Sequence, residues 1–234
     1  MPDDIQFRHE NKYLINRRDM DCCIQRIVEF ARLDEHSRDG GYTIRSLYFD
    51  DDSKTAFNDK ESGVSSRCKY RIRIYDMNDR YICLEKKIKE GSYVRKESTV
   101  LTRNEYDMIL KGRTDFLLKR EEKAANDFAI ECLINRLKPE VIVDYERLPF
   151  VYDNGTVRIT FDMNIRAVID DMDIFRCSSP AYEVLGQDQL IMEVKYTEFL
   201  PDIFRAILPQ EGCRQAVSKY VMCEELKMSF KEVY

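Results

Sequence analysis

The chain has 234 residues, more than one small core needs and fewer than two full-sized domains usually occupy, so a single domain over residues 1–234 is expected. Eight glycines and six prolines are about half the usual share, which excludes a long flexible linker or a low-complexity tail. Charged residues make up 35% of the chain and the formal charge is −5, without clustered Lys/Arg runs; this argues against a nucleic-acid binder and confines any anion site to a local feature.

In chain order, period-2 patterning predicts strands near 6–15 and 42–50, with a helix over Asp19 to Arg32 between them. Three closely spaced strands follow near 67–76, 80–89 and 92–101. A helix over 103–111 opens with Thr102 and Glu105 in capping-box spacing, where both side chains can satisfy orphan N–H groups. A helix over 120–136 precedes strands near 140–152, 156–168 and 189–197, and helices at 200–208 and 213–228 complete the chain. The fold class is α+β: an antiparallel, strand-dominated architecture with a few covering helices. No apolar run approaches the roughly 18 residues that span a bilayer, and the start MPDDIQFRHE lacks a secretory pattern, so a soluble, cytoplasmic protein without direct membrane insertion is expected. The eight cysteines form no C-x-x-C pair and only two histidines accompany them; they read as reduced thiols rather than a zinc site.

Residues two apart share a face of a strand, and sorting each segment this way separates charge from apolar side chains. In 67–75 one column reads Arg67, Lys69, Arg71, Arg73, Tyr75 and the other Cys68, Tyr70, Ile72, Ile74. In 157–166, Arg158, Thr160, Asp162, Asn164 and Arg166 alternate with Val157, Ile159, Phe161, Met163 and Ile165. The same sorting groups Glu10 with Arg8 and Lys12, Glu85 with Lys87 and Lys89, and Glu193 with Lys195. Arg67 aside, these columns carry ten basic positions against four acidic ones in a chain that is acidic overall.

Two readings fit. The columns are the solvated side of an antiparallel sheet, or the sheet curls so that they line a basic channel for a densely charged anion, for which a phosphate chain is the best match. Stacked like charges and the preponderance of arginine favour the second, because a guanidinium fork suits phosphate oxygens. Inside such a channel Glu10 and Glu193 are candidate ligands for a divalent cation, while Glu85 and Asp162 serve equally well as partners for wall cations.

The runs F-R-H-E-N-K-Y-L-I, Y-T-I-R-S-L-Y-F-D, K-Y-R-I-R-I-Y, L-E-K-K, Y-E-R, V-R-I-T-F-D, M-E-V-K-Y and S-K-Y, in that order from about residue 6 to 222, resemble the catalytic domain of the vacuolar transporter chaperone family. These polyphosphate polymerases belong to the triphosphate tunnel metalloenzymes. The resemblance implies an eight-stranded antiparallel β-barrel, the triphosphate tunnel, with covering helices and a triphosphate in its lumen. It implies catalytic roles for Arg71, Arg73, Lys87, Arg147 and Arg158 and phosphate-binding roles for Lys12, Lys96 and Lys219. Arg95 is the alternative to Lys96 on the opposite strand face. The metal would be Mn²⁺ or Mg²⁺ on Glu193, with Glu10 as a second ligand. Ala216 stands where some relatives carry a further lysine, a place that Arg214 can serve. ATP and inorganic polyphosphate are the implied partners, and any export of polymer would need a separate membrane partner. The activity implied is transfer of the ATP γ-phosphoryl group onto a growing polyphosphate chain; a tunnel-type triphosphatase and a polyphosphate-binding module without catalysis are the alternatives.

Overall fold

The computed structural model describes residues 8–37, 40–91, 93–153, 156–209 and 214–233. One antiparallel sheet dominates it. Its strands are β1 (His9–Asn16), β2 (Arg32–Leu33), β3 (Tyr42–Asp50), β4 (Ser66–Tyr75), β5 (Asn78–Glu90), β6 (Tyr93–Leu101), β7 (Lys138–Tyr152), β8 (Val157–Val168), β9 (Ala181–Glu183) and β10 (Gln189–Tyr196). Eight of them follow the order β1-β10-β8-β7-β3-β4-β5-β6, and the two short strands β2 and β9 attach to β7 and β8. Among the described residues the ladder stops short of full closure, and edge strands β1 and β6 meet there through the isolated bridge Arg8↔Val94. Side chains complete the seam, since Lys87 Nζ on β5 reaches Glu10 on β1 at 2.8 and 2.9 Å.

The helices are α1 (Arg17–Ile27), α2 (Thr55–Glu61), α3 (Arg103–Leu110), α4 (Lys123–Ile134), α5 (Asp202–Ile207) and α6 (Lys219–Val233). α1 starts because the Asn16 side chain accepts from Asp19 N–H at 2.8 Å, and α3 starts with the Thr102–Glu105 capping box. The apolar columns face outward and the helices cover them. Tyr70, Ile72 and Ile74 of β4 lie in a core with Phe128 of α4 and Tyr106 of α3. Phe128 meets Phe49 edge to face at 4.9 Å. A second core joins α1 and α5 to β1, β8 and β10 through Ile27, Phe161, Met192 and Phe204.

Three sequence expectations need correction. Residues 214–218 are not helical: the predicted helix over 213–228 begins at Lys219, and residue 213 lies outside the described residues. α2 and the 3₁₀ turn Asp115–Lys119 were not expected; Lys54, at φ +55°, hides the entry to α2, whose Thr55 N–H donates to Asp51 and whose Ala56 and Phe57 N–H groups donate to the Asp50 carboxylate. Arg166 does not belong to the column of Arg158 and Asp162. Asn164, at φ +50°, adds one residue to β8, so that Asp162 pairs with Arg147 before the bulge and Arg166 pairs with Asp144 after it. The extra residue reverses the phase: Arg166 leaves the lumenal face and meets Asp144 at 3.2 Å, beside Arg45 at 3.0 Å.

Beyond the bulge the lumenal face turns apolar, and α6 packs into it. Ile44, Val141, Val143, Ile165 and Ala167 form a core with Tyr220, Val221 and Cys223, so the helix closes that end of the cylinder. An ionic clamp holds it. Lys227 Nζ contacts Glu140 at 2.8 Å, Lys54 pairs with the same carboxylate, and Lys54 contacts Glu224 at 2.8 Å. Glu140 and Glu224 are 3% and 1% exposed, so neither ammonium can exchange its partner for water.

Glu140→Ala should therefore cost about 3–5 kcal/mol, because it leaves Lys54 and Lys227 to share Glu224 in a desolvated site. Chemical denaturation measures this, and a loss below about 1 kcal/mol would show that the clamp behaves as a surface pair. Burial opposes ionisation of Glu140, but its bonds to Lys227 and Lys54 hold its pKa below the ordinary carboxylate value. The stabilisation is thus present above the unfolded-state value near 4 and is lost as the pH falls through the lower folded value.

Candidate functional site

A cavity of about 610 Å³ occupies the lumen, and the described residues lining it include twelve lysines and arginines but only two carboxylates, Glu10 and Glu193. Strand register explains the convergence. β4 and β5 place Arg71 opposite Glu85, Lys69 opposite Lys87 and Arg67 opposite Lys89, and β5 and β6 then place Lys87 opposite Lys96. Lys69, Lys87 and Lys96 thus lie side by side on three neighbouring strands, where like charges repel.

Two buried carboxylates in the wall anchor the deeper cations. Glu85, 1% exposed, receives Arg71 Nε at 2.6 Å and Lys96 Nζ at 2.9 Å, with Arg73 at 3.8 Å. Asp162, fully buried, receives Arg147 through two bonds of 2.7 and 2.8 Å and Lys219 at 2.5 Å. Although burial opposes its ionisation, Arg147 and Lys219 hold the Asp162 pKa down to about 2. Glu85 is held well below the carboxylate range against the same burial, by Arg71, Arg73 and Lys96. Phenols give the arginines further support without neutralising them: Arg71 donates to Tyr48 at 2.8 Å and Arg73 to Tyr145 at 3.2 Å.

Glu10 and Glu193 lie on paired strands, where β1 and β10 set Glu10 against Lys195 and Lys12 against Glu193. Lys12 contacts Glu10 at 3.2 Å and Lys195 contacts Glu193 at 2.8 Å. Burial and Glu193 push the Glu10 pKa up, yet Lys87, Lys12 and Lys195 bring it to about 2, so both carboxylates stay ionised. They are hard oxygen donors of the right kind for Mg²⁺ or Mn²⁺. No cluster of three ligating side chains occurs among the described residues. The donor set fits a divalent cation shared with phosphate oxygens, not one enclosed by protein alone.

The remaining rim is uncompensated. Lys60 of α2, Arg67, Lys69 and Lys89 line the cavity without an acidic partner among the described residues. Burial, followed by repulsion from Lys12, Lys60, Arg67 and Lys87, lowers the Lys69 pKa to about 7. Burial and neighbouring cations, Arg67 foremost, lower Lys60 and Lys89 as well. Residues 214–218 cross beside this rim: Gln215 N–H bonds to Lys12 C=O at 2.9 Å, Lys12 Nζ to Val217 C=O at 3.3 Å and Lys69 Nζ to Ser218 Oγ at 3.2 Å. Arg214 and Ala216 both line the cavity here.

Of the residues expected from sequence, the lumen brings together Lys12, Arg71, Arg73, Lys87, Arg147, Lys219, Glu10 and Glu193. Lys96 shares the lumenal face but turns to Glu85, whereas Arg95 pairs with Glu97 at 3.1 Å on the other face. Arg158 stands apart from the cavity, bound to Asp34 at 2.9 Å and the Tyr42 hydroxyl at 3.1 Å. Sequence reasoning missed Lys60, because α2 was not expected. It also missed Tyr48 and Tyr145, although Tyr145 shares the two-residue phase of Arg147.

A family model described as the VTC domain matches residues 7–227. Comparison with curated proteins returns no match. Among solved structures, a candidate adenylate cyclase from Vibrio parahaemolyticus is 13% identical, with a TM-score of 0.50 over 94% of this chain and 98% of that one. A candidate adenylate cyclase from Bacillus halodurans is 12% identical, with a TM-score of 0.47 over 98% and 88% of the two chains. The PH1819 protein from Pyrococcus horikoshii OT3 is also 12% identical, with a TM-score of 0.44 over 96% and 99%. The Vibrio protein shares the fold alone, while the family match spans nearly the whole sequence: this chain belongs to the VTC domain family.

Proposed function

We propose that the protein is a polyphosphate polymerase that transfers the γ-phosphoryl group of ATP to the end of an inorganic polyphosphate chain. One observation carries this reading: twelve basic side chains converge on a lumen that holds two carboxylates. Only a ligand of high negative charge density relieves that imbalance, and a linear phosphate chain has the right shape for a cylinder.

Phosphoryl transfer asks a protein for positioning and charge stabilisation more than for covalent chemistry. A terminal oxygen of the chain attacks the γ-phosphorus, the bond from that phosphorus to the β–γ bridging oxygen breaks, and ADP departs while the chain grows by one phosphate. Arg71, Arg73 and Arg147 grip non-bridging oxygens, held in place by Glu85, Tyr145 and Asp162. Lys12, Lys87 and Lys219 act as less directional charges along the path. Lys96 and Arg158 act at the margins, through Glu85 and Asp34 respectively. Glu193 and Glu10 would hold a divalent cation, which would supply positive charge beside the phosphate oxygens. In the described residues no helix is long and apolar enough to cross a membrane.

Purified protein incubated with ATP and Mn²⁺ should make polyphosphate that a chain-length-resolving gel displays. Release of orthophosphate alone would replace this reading with a triphosphatase, and neither product with retained tripolyphosphate binding would replace it with a binding module. Arg71→Ala combined with Arg73→Ala should lower turnover by about a hundredfold or more, given about 1.5–3 kcal/mol for each charge-assisted bond and tenfold per 1.4 kcal/mol. Circular dichroism should meanwhile report a folded protein.

Anion binding should also be linked to protons. Burial and neighbouring cations lower the Lys69 pKa to about 7, and a phosphate chain beside it favours the charged form. Tripolyphosphate binding at pH 8 should take up about one proton, and affinity should fall as the pH rises from about 7 to 9. Calorimetry in buffers of different ionisation enthalpy measures the uptake, which Lys69→Gln should remove.

A further inference from the structure

Tyr48 has no part in the transfer as described above, yet it stands where the gripping arginines meet the closing helix. It is the register partner of Arg71 on β3, lines the cavity and is 8% exposed. Its ring stacks on Tyr220 at 5.2 Å with an interplanar angle of 21°, and Tyr220 is tied in turn by its hydroxyl to Asp50 at 2.5 Å. The phenol is therefore fixed in place from β3 and from α6, and only its O–H bond can turn.

Its hydrogen bonding is one-sided. Arg71 Nη1 donates to the Tyr48 oxygen at 2.8 Å, and that is the only hydrogen bond of the hydroxyl among the described residues. The oxygen is an acceptor there, so its own hydrogen has no acceptor among the described residues and is free to point into the cavity that Tyr48 lines. The two lumenal carboxylates do not serve it, since Glu10 is engaged by Lys12 and Lys87 and Glu193 by Lys195. A ligand oxygen placed in the cavity can accept from that hydrogen, with geometry set by the fixed ring. Burial raises the phenol pKa, but Arg71, Arg73 and Lys219 lower it further than burial raises it. A phenol acidified in this way is a stronger hydrogen-bond donor.

We propose that Tyr48 is a phosphate-binding residue whose hydroxyl donates to a non-bridging oxygen of the phosphate chain while it accepts from Arg71. The proposal rests on the phosphate-chain reading of the lumen. It adds a neutral donor to a set of cations: a tyrosine contributes direction without adding to the repulsion among Arg71, Arg73 and Lys69. It also links α6 to the ligand, since Tyr220 fixes the ring that points the donor.

Tripolyphosphate binding without nucleotide or metal tests this, with affinity read by calorimetry and folding by thermal melting. Tyr48→Phe keeps the ring and its stacking, and should bind tripolyphosphate about tenfold or more weakly with an unchanged Tm. A residue that only positions Arg71 would show no penalty once that arginine is gone, so the same substitution is repeated in an Arg71→Ala background. There the loss should persist. Unchanged affinity in Tyr48→Phe, or a penalty that vanishes in the Arg71→Ala background, overturns the assignment and leaves the phosphate-chain reading standing. Absence of tripolyphosphate binding by the wild-type protein overturns that reading itself, and the role of Tyr48 with it.

Discussion

Uncompensated positive charge inside a nearly closed sheet is the constraint that organises this structure. Twelve lysines and arginines share one lumen, and repulsion at that density would open the cylinder unless something opposed it. The opposition comes from two places. Apolar columns on the outer face are buried under α1, α3, α4 and α5, where each buried large side chain contributes about 1.5–3 kcal/mol. Carboxylates set behind the cations, Glu85 and Asp162, supply counter-charge from the wall while leaving the lumen free. The sheet keeps its shape because the repulsion faces inward and the apolar contacts hold from outside.

The placement of those carboxylates divides the lumen into two kinds of surface. Arg71, Arg73 and Arg147 are tied to carboxylates or phenols and hold fixed directions, which is what recognition of individual phosphate oxygens requires. At the rim, Lys60 and Lys89 have no such partner among the described residues, and Lys69 meets the Ser218 hydroxyl at 3.2 Å and the Tyr220 ring rather than a carboxylate. A phosphate chain passing from one to the other would meet directional contacts at depth and a less specific attraction at the mouth. α6 sets the boundary, because it fills the far end with apolar side chains and brings Lys219 to Asp162.

Most of the strand architecture was legible because period-2 alternation reports directly on a sheet with one apolar and one charged face. The K-Y-R-I-R-I-Y run is the clearest case: both columns of β4 occupy the faces their chemistry demands. Alternation fails where the chain adds a residue. Asn164 looks like one more polar position in β8, but at φ +50° it forms a bulge and sends Arg166 to the opposite face. Nothing in a residue count announces that shift. The same limit applies to α2, whose entry passes through a left-handed Lys54 and whose N–H groups are capped by Asp50 from the end of β3. Lys60 reaches the lumen through that tertiary arrangement, which leaves no local pattern.

Exchange, rather than addition, describes how such a lumen can take a ligand. In the empty cavity Lys87 and Lys12 neutralise Glu10, and Lys195 neutralises Glu193. These are the same ammonium groups that a phosphate chain would attract, and the same carboxylates that a divalent cation would need. If the lysines turn toward phosphate, both glutamates become available to the metal, and the charge that leaves each pair is replaced by charge arriving with the ligand. The seam follows the same logic, since Lys87 and Glu10 join β5 to β1 across the edge that the backbone ladder leaves open. Closure at this edge therefore rests on a side-chain ion pair beside the Arg8↔Val94 bridge rather than on a continuous backbone ladder.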